Sequence, residues 1–431
     1  MSDYETEKSS AALSAASATA SSAAPSAAPV AASAAALVAA SSAAPVAAPV
    51  AAPVAAPVAA PVAASSAALS AASVAALEKA ASGLRLDARD AEKLFACDDL
   101  FALGRAALTA AEKLHSKRVY YTRNRHINPT NICVNRCRFC AFSRSAGQDG
   151  AFVLSIDDAL EKLRAQAPEG LHEVHIVGGL NPDLGLDFHL DLVRAIKSEF
   201  PRTHIKAFTA VEIDYFSRTS GTNLASTLGR LKAAGLDAMP GGGAEIFAPR
   251  VRDILCPEKI SGQRWLEVHR AAHSMGIKTN ATMLYGHVES FQERVDHLIK
   301  LRRLQDETGG FQAFIPLAYQ PVDGGPAVHY PSGIDDLKTV AVSRLVLDNF
   351  PHVKAYWVML GEKLSQTALL FGATDIDGTV VEEHIAHAAS GHRITDCDAA
   401  SEKTVSAAHL RYLIERAGKT PVERNALYEE V

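Results

Sequence analysis

Cys133, Cys137 and Cys140 lie in the segment HINPTNICVNRCRFCAFSR, from His126 to Arg144, at a C-x3-C-x2-C spacing. They are half of the six cysteines in the 431-residue chain. Three thiolates on one short loop can hold three irons of a cubane cluster and leave the fourth iron without a protein ligand, whereas ordinary four-iron ferredoxin sites use four cysteines. An open iron is a place for a further ligand, which points to chemistry rather than plain electron storage. Zinc is the competing metal. It usually takes four tetrahedral ligands from paired C-x2-C units, and no second pair follows here, since the next cysteine is Cys256. A structural iron–sulfur or zinc protein is the non-enzymatic alternative.

The elements that would position this loop alternate between strand and helix. RHIN reads as a short first strand, with the cysteines in the loop that follows it. EVHIVGG, HIKAFTA, LDAMPGGG, KTNATMLYG, FQAFIPLAY, VKAYWVMLG and ATDIDG read as strands two to eight, with helical stretches between them. Such alternation gives parallel pairing with right-handed crossovers. Eight units predict a closed (βα)8 TIM-type barrel with its chemistry at the C-terminal ends of the strands. Upstream, ALEKAASGLRLDARDAEKLF and DDLFALGRAALTAAEKLHSKR read as two helices. Downstream, a helix, a glycine-containing turn and an extended end follow. The expected organisation is a disordered tail at 1–73, a helical extension at 74–118, the barrel at 119–390 and a C-terminal helical cap at 391–431.

The tail is almost entirely Ala, Ser, Pro and Val, with Pro45, Pro49, Pro53, Pro57 and Pro61 recurring every fourth residue. Proline removes helix donors and fixes an extended backbone, while alanine buries too little area to offset the entropy of ordering. The acidic start MSDYETEK and the proline-broken apolar run fit neither a signal peptide nor a membrane span. The net charge of −5 argues against a general nucleic-acid or membrane-surface binder. Clustered free thiols imply a reducing compartment, the cytoplasm.

Glycines and acids mark the strand ends. Gly178 and Gly179 close the second strand; Gly241 to Gly243 close the fourth and lead to Glu245. Glycine lets backbone approach a ligand closely, and a plain tight turn is the alternative. The triglycine is not a phosphate loop, because no Gly-Lys-Ser/Thr follows. Glu212 and Glu245 are either acceptors for ribose hydroxyls or acids favoured at a helix start. Tyr285 and His287 at the fifth strand are the polar side chains closest in type to catalytic groups. Packing residues are the bland reading of both.

Together HINPTNICVNRCRFCAFSR, EVHIVGGL, HIKAFTAVEI, GLDAMPGGGAEIF, NATMLYGH and KAYWVMLG resemble the aminofutalosine synthase family of radical S-adenosylmethionine (SAM) enzymes, on the futalosine route to menaquinone. The cysteine motif alone is similar to the whole superfamily. The strand-end motifs narrow it to a group that includes cyclic dehypoxanthine futalosine synthase and deazaflavin synthase subunits. The resemblance implies a [4Fe-4S] cluster on Cys133, Cys137 and Cys140, with the SAM amino group held by backbone at Gly178 and Gly179; Phe139, Glu212 and Glu245 are further candidates for the SAM site. It implies that a 5′-deoxyadenosyl radical adds to 3-[(1-carboxyvinyl)oxy]benzoate, so that SAM is consumed as a substrate. Arg144, Lys206, His287 and Lys354 are candidate partners for the substrate carboxylates, with a solvated surface charge as the alternative for each. Flavodoxin or ferredoxin is the expected electron donor.

Overall fold

The computed structural model describes residues 73–166, 170–322, 324–327, 330–385, 388 and 405–431. The tail expected at 1–73 lies outside the described residues except for Ser73, and Cys397 lies outside them too. Strands β1 (Arg118–Thr122) and β2 (Asn124–Ile127) come first in the chain. They are followed by β3 (Glu173–Ile176), β4 (His204–Ala207), β5 (Ala238–Met239), β6 (Lys278–Tyr285), β7 (Phe311–Ala318), β8 (His352–Val353), β9 (Asp375–Gly378) and β10 (Thr420–Glu423). Strands β2 to β8 form one parallel sheet in chain order, with helices such as Leu186–Glu199, Gly262–Ser274, Phe291–Thr308 and Gly333–Val346 as crossovers. A parallel pair cannot be joined by a tight hairpin, so each connection travels back through a helix.

The eighth strand joins the two edges of this sheet. Lys354, just past β8, bridges Asp375, and Val381 bridges Arg125 of β2. The Ala355 amide donates to the Asp375 carbonyl at 2.8 Å and the His126 amide to the Val381 carbonyl at 2.8 Å. Isolated bridges replace a regular ladder because Asp377, Val380 and Glu382 have positive φ, at 74°, 49° and 59°. Such angles are rare for residues with a Cβ and most unfavourable for a β-branched valine. Side chains take over part of the pairing: Asn124 Oδ1 accepts the Val380 amide at 2.8 Å, and the Thr379 hydroxyl donates to the Asn124 carbonyl at 3.0 Å.

Three local readings differ from expectation. The N-terminal helix is two: residues 73–81, then Ala88–Phe95 with an Asp87/Asp90 capping box, separated at Gly83. The seventh strand, expected through Gly361, ends at Val353, and Trp357–Leu360 is helical. Its buried Trp357 indole donates to the Gly378 carbonyl at 2.9 Å, as a buried Trp N–H requires a partner. β1 is an additional strand. It lies between β9 and β10 in a separate parallel sheet, so the extended C-terminal end pairs with the segment that leads into the barrel.

That pairing delivers Arg424 to the interior. Its guanidinium is fully buried, 2.7 Å from Asp375 and 3.6 Å from Glu173, and its cation lies 4.1 Å from the Tyr428 ring centroid. Removing one partner of a buried ion network leaves uncompensated charge and costs about 3–5 kcal/mol. Arg424→Leu is therefore expected to lower the unfolding free energy by about that amount in chemical denaturation. A loss below about 1 kcal/mol, the range of an exposed ion pair, would show that the network carries no such load.

Candidate active site

The loop after β2 is folded by its own polar side chains. The Asn128 amide group donates to the Val177 carbonyl at 2.7 Å, and the Thr130 hydroxyl to the Phe152 carbonyl at 2.8 Å. Asn131 donates to the Gly150 carbonyl and accepts the Phe152 amide. A backbone bond from Cys133 to Arg144 closes the cysteine segment on itself, and bonds from Val134 to Leu180 and from Arg138 to Leu255 tie it to two neighbours. Cys133, Cys137 and Cys140 are free and partly exposed, and all three line a cavity of about 320 Å³ together with Phe139. Burial pushes the Cys137 thiol up to about 12, and a metal cation bound to the sulfur would favour its thiolate. Among the described residues no three His, Cys, Asp or Glu side chains converge on one metal ion. A cubane takes each thiolate at a different iron, so it needs three cysteines around one space rather than on one ion, and the three share one cavity. The donors present fit the cluster.

Gly178 and Gly179 border the same cavity, and the chain itself accounts for both. A Cβ on Gly179 would run into the Ile132 carbonyl, and one on Gly178 would sit 3.1 Å from the Thr130 carbonyl oxygen. The glycines let the end of β3 touch the cysteine loop. The triglycine is packed in the same way. A Cβ on Gly241 would meet the backbone of Asn280 and Ala281, and one on Gly242 the Thr209 methyl.

Glu212 is the third residue of the helix Ala210–Thr219 rather than a strand end. It forms a capping box with Thr209 and accepts the Gly178 amide at 3.1 Å. Burial raises its pKa to about 7. Glu245, at φ 45°, is held by Lys259 at 2.7 Å. Both acids line the cavity.

Lys206 and Lys354 also line it, within a buried charged group at the level of Glu173 and Asp375, the first residues of β3 and β9. Lys206 Nζ is 2.7 Å from Glu173 Oε2, while Lys354 Nζ is 3.2 Å from Asp377 and 3.8 Å from Asp375. His126 and His175 stack at 4.5 Å beside them. Alternation along a strand explains the lining. Glu173, His175 and Val177 of β3 and its extension face inward, as do Asn280, Thr282 and Leu284 of β6.

The same alternation turns Tyr285 outward, where its hydroxyl donates to Asp336 at 2.7 Å on the helix Gly333–Val346. His287 does not line the cavity either. Its ring lies 2.9 Å from the Leu284 carbonyl and 2.8 Å from Glu289. Arg144 donates to the Ala141 and Ser143 carbonyls and closes the cysteine loop instead of facing the cavity. Lys259, Glu173 and Asp377 are lining residues that the sequence reading missed. Alternation back from Gly179 marks Glu173; Lys259 lies on an irregular turn, where no period applies.

Glu289 joins these outer groups. Burial opposes its charge, but His287, Arg294 and the Gly286 amide outweigh burial and hold it at about 2. Because the folded value is depressed, this contribution is present above the ordinary value of 4.5 and is lost as pH falls toward 2. The expected size is roughly 3 kcal/mol. Denaturation midpoints of Glu289→Gln and the parent should differ at pH 7 and converge toward pH 2; a constant difference would exclude this role.

Residues 127–301 match the radical SAM superfamily, and residues 308–430 match the CofH/MqnC C-terminal region. Aminodeoxyfutalosine synthase of Thermus thermophilus is 45% identical over 82% of this chain and 94% of its own length. The Streptomyces coelicolor enzyme of the same name is 42% identical over 82% and 92%. A 5-amino-6-(D-ribitylamino)uracil–L-tyrosine 4-hydroxyphenyl transferase of Methanosarcina barkeri is 43% identical over 73% and 82%. In fold, the chain is similar to methylornithine synthase, with a TM-score of 0.64 at 18% identity over 80% of this chain and 97% of the other. With its cysteine loop above a parallel barrel and its match along nearly the full length of such enzymes, the chain belongs to the aminodeoxyfutalosine synthase family of the radical SAM superfamily.

Proposed function

We propose that this enzyme joins the 5′-deoxyadenosyl group of SAM to 3-[(1-carboxyvinyl)oxy]benzoate, giving 6-amino-6-deoxyfutalosine, methionine and carbon dioxide or bicarbonate, within the futalosine route to menaquinone. The observation that carries this reading is one cavity lined both by the three cysteines of the loop after β2 and by Lys206 and Lys354. When bound, the cluster supplies one electron that splits SAM into methionine and a 5′-deoxyadenosyl radical. Cys133, Cys137 and Cys140 hold the cluster. Phe139, Gly178, Gly179, Glu212 and Glu245 form the wall beside it and receive SAM. Lys206 and Lys354 offer ammonium groups to the two substrate carboxylates. Val177, Leu284, Ile315 and Leu317 give the cavity apolar surface, which keeps water from a reactive carbon radical. The electron comes from a flavodoxin or ferredoxin in the cytoplasm. Among the described residues no helix is long and apolar enough to cross a membrane.

A second reading is a different radical SAM reaction, in which the radical abstracts hydrogen and SAM yields free 5′-deoxyadenosine, as the resemblance to cyclic dehypoxanthine futalosine synthase implies; the 43% identity to an enzyme of another name, the 4-hydroxyphenyl transferase, favours testing it. Anaerobically reconstituted enzyme incubated with SAM, dithionite and the enol-ether benzoate separates the two by mass analysis. An adenosyl-containing adduct is expected, and stoichiometric free 5′-deoxyadenosine would favour the second reading. Cys133→Ala, Cys137→Ala and Cys140→Ala should each abolish SAM cleavage, while Cys97→Ala retains it. About one zinc per chain without cubane absorbance would overturn both readings in favour of a structural metal site.

A further inference from the structure

Lys259 belongs to no strand end and to no motif that carries the family resemblance. It lies in the turn after the helix Pro249–Leu255, where its amide donates to the Cys256 carbonyl at 3.0 Å. One residue before that turn begins, the Leu255 carbonyl accepts the Arg138 amide of the cysteine loop at 2.8 Å. Buried Arg252 clamps the same segment, donating to the Ala244 carbonyl at 2.8 Å and to the Ile260 carbonyl. The Lys259 side chain is thus carried to the cysteine loop on a braced backbone. Its ammonium lies 4.9 Å from the Phe139 ring centroid and 2.7 Å from Glu245 Oε1. It lines the cavity with the three cysteines.

The other cations nearby do not replace it. Arg136 and Arg138 of the loop are exposed, where water and salt screen their charge. Lys206 and Lys354 belong to the deeper group with Glu173, Asp375 and Asp377. Lys259 is shielded, with its side chain 14% exposed.

We propose that Lys259 is the charge-balancing residue of the cluster site, its ammonium fixed over Phe139 and against Glu245 so that the cluster is easier to reduce. The inference rests on the assignment of the cluster to Cys133, Cys137 and Cys140. A cubane held by three thiolates carries net negative charge, and an added electron increases it. A fixed positive charge in a low-dielectric wall favours the reduced form, and net charge is one of the terms that set cluster potentials. Glu245 holds the ammonium in place and limits its effect, while the aromatic ring of Phe139 attracts the cation electrostatically.

The test is an EPR-monitored redox titration of the reconstituted enzyme without SAM, which reads the cluster and not turnover. Lys259→Met and Lys259→Gln should each shift the midpoint to more negative potential by at least about 59 mV, a tenfold change in a one-electron equilibrium. Lys259→Arg, which keeps the charge, should shift it by less than half of that. Lys259→Met with Glu245→Gln removes both charges and should recover part of the shift. Midpoints in both neutral variants equal to the parent's, at full iron content, would overturn the proposal. Folded neutral variants that lose the cluster while the arginine variant keeps it would support it. Loss in the arginine variant as well would assign Lys259 a shape role and overturn it. Failure of the parent to hold a cubane would instead overturn the cluster assignment.

Discussion

The barrel is organised around charge held out of water. Glu173, Lys206, Lys354, Asp375 and Arg424 are each at most 2% exposed. Desolvating an ion costs several kcal/mol, which Coulomb attraction offsets only when the geometry is close. Each of these groups has an opposite charge nearby, at 2.7 Å for Lys206 with Glu173 and for Arg424 with Asp375. Three acids, Glu173, Asp375 and Asp377, face three cations. The group draws on β3, on β4, on the segment after β8, on β9 and on the residue after β10. No two neighbouring elements could supply it alone. Closure of the sheet by β9 and docking of the C-terminal strand are parts of one electrostatic arrangement.

That dependence explains why the C-terminal part of the chain belongs to the site. β10 pairs with β1 over Arg118 to Tyr121 and places Arg424 next in line. Arg424 holds Glu173 and Asp375, and these hold Lys206 and Lys354. The ammonium groups that the proposed function gives to the substrate are therefore positioned from the far end of the sequence. A lysine alone in this setting would lose its proton to escape burial; the acids beneath it oppose that loss.

Much of the site was legible in the sequence because its signals are local. The cysteine spacing, the loop after the first strand and the βα rhythm each need only a short window. The glycines were found by the same logic but for an incomplete reason: Gly179 and Gly241 are pressed against backbone of this chain. Close approach was the right physics; the partner could not be read from composition. Glu212 was open between a ligand acceptor and a helix-start acid; it stands in the first turn of a helix, and Thr209 three residues before it is the capping-box signal for that. Tyr285 and His287 show the limit of type without register. A shift of one residue along a strand exchanges lumen for helix side, and only the pairing of β6 with β7 fixes which set faces in. Lys259 and the positive-φ residues of the eighth strand lie in irregular backbone, where neither period 2 nor period 3.6 applies, and Arg424 is placed by a long-range pairing of β10 with β1 that no local window shows.

The charged side chains divide the cavity by depth. Near the cysteine loop, Lys259 and Glu245 form one pair beside Phe139. Deeper, two lysines share three acids with Arg424. The same cavity is lined by apolar residues as well, including Val177, Leu284, Ile315 and Leu317. A ligand that carries both charged groups and apolar surface suits such a lining, and a uniformly apolar one does not. In the proposed reaction the charged parts of SAM meet the upper pair, the carboxylates of the acceptor meet the lysines below, and the bond forms against the apolar lining. On the proposed reading, such a division would put the least polar surface where a carbon radical meets an alkene. The polar groups are kept where they bind rather than where they would be attacked.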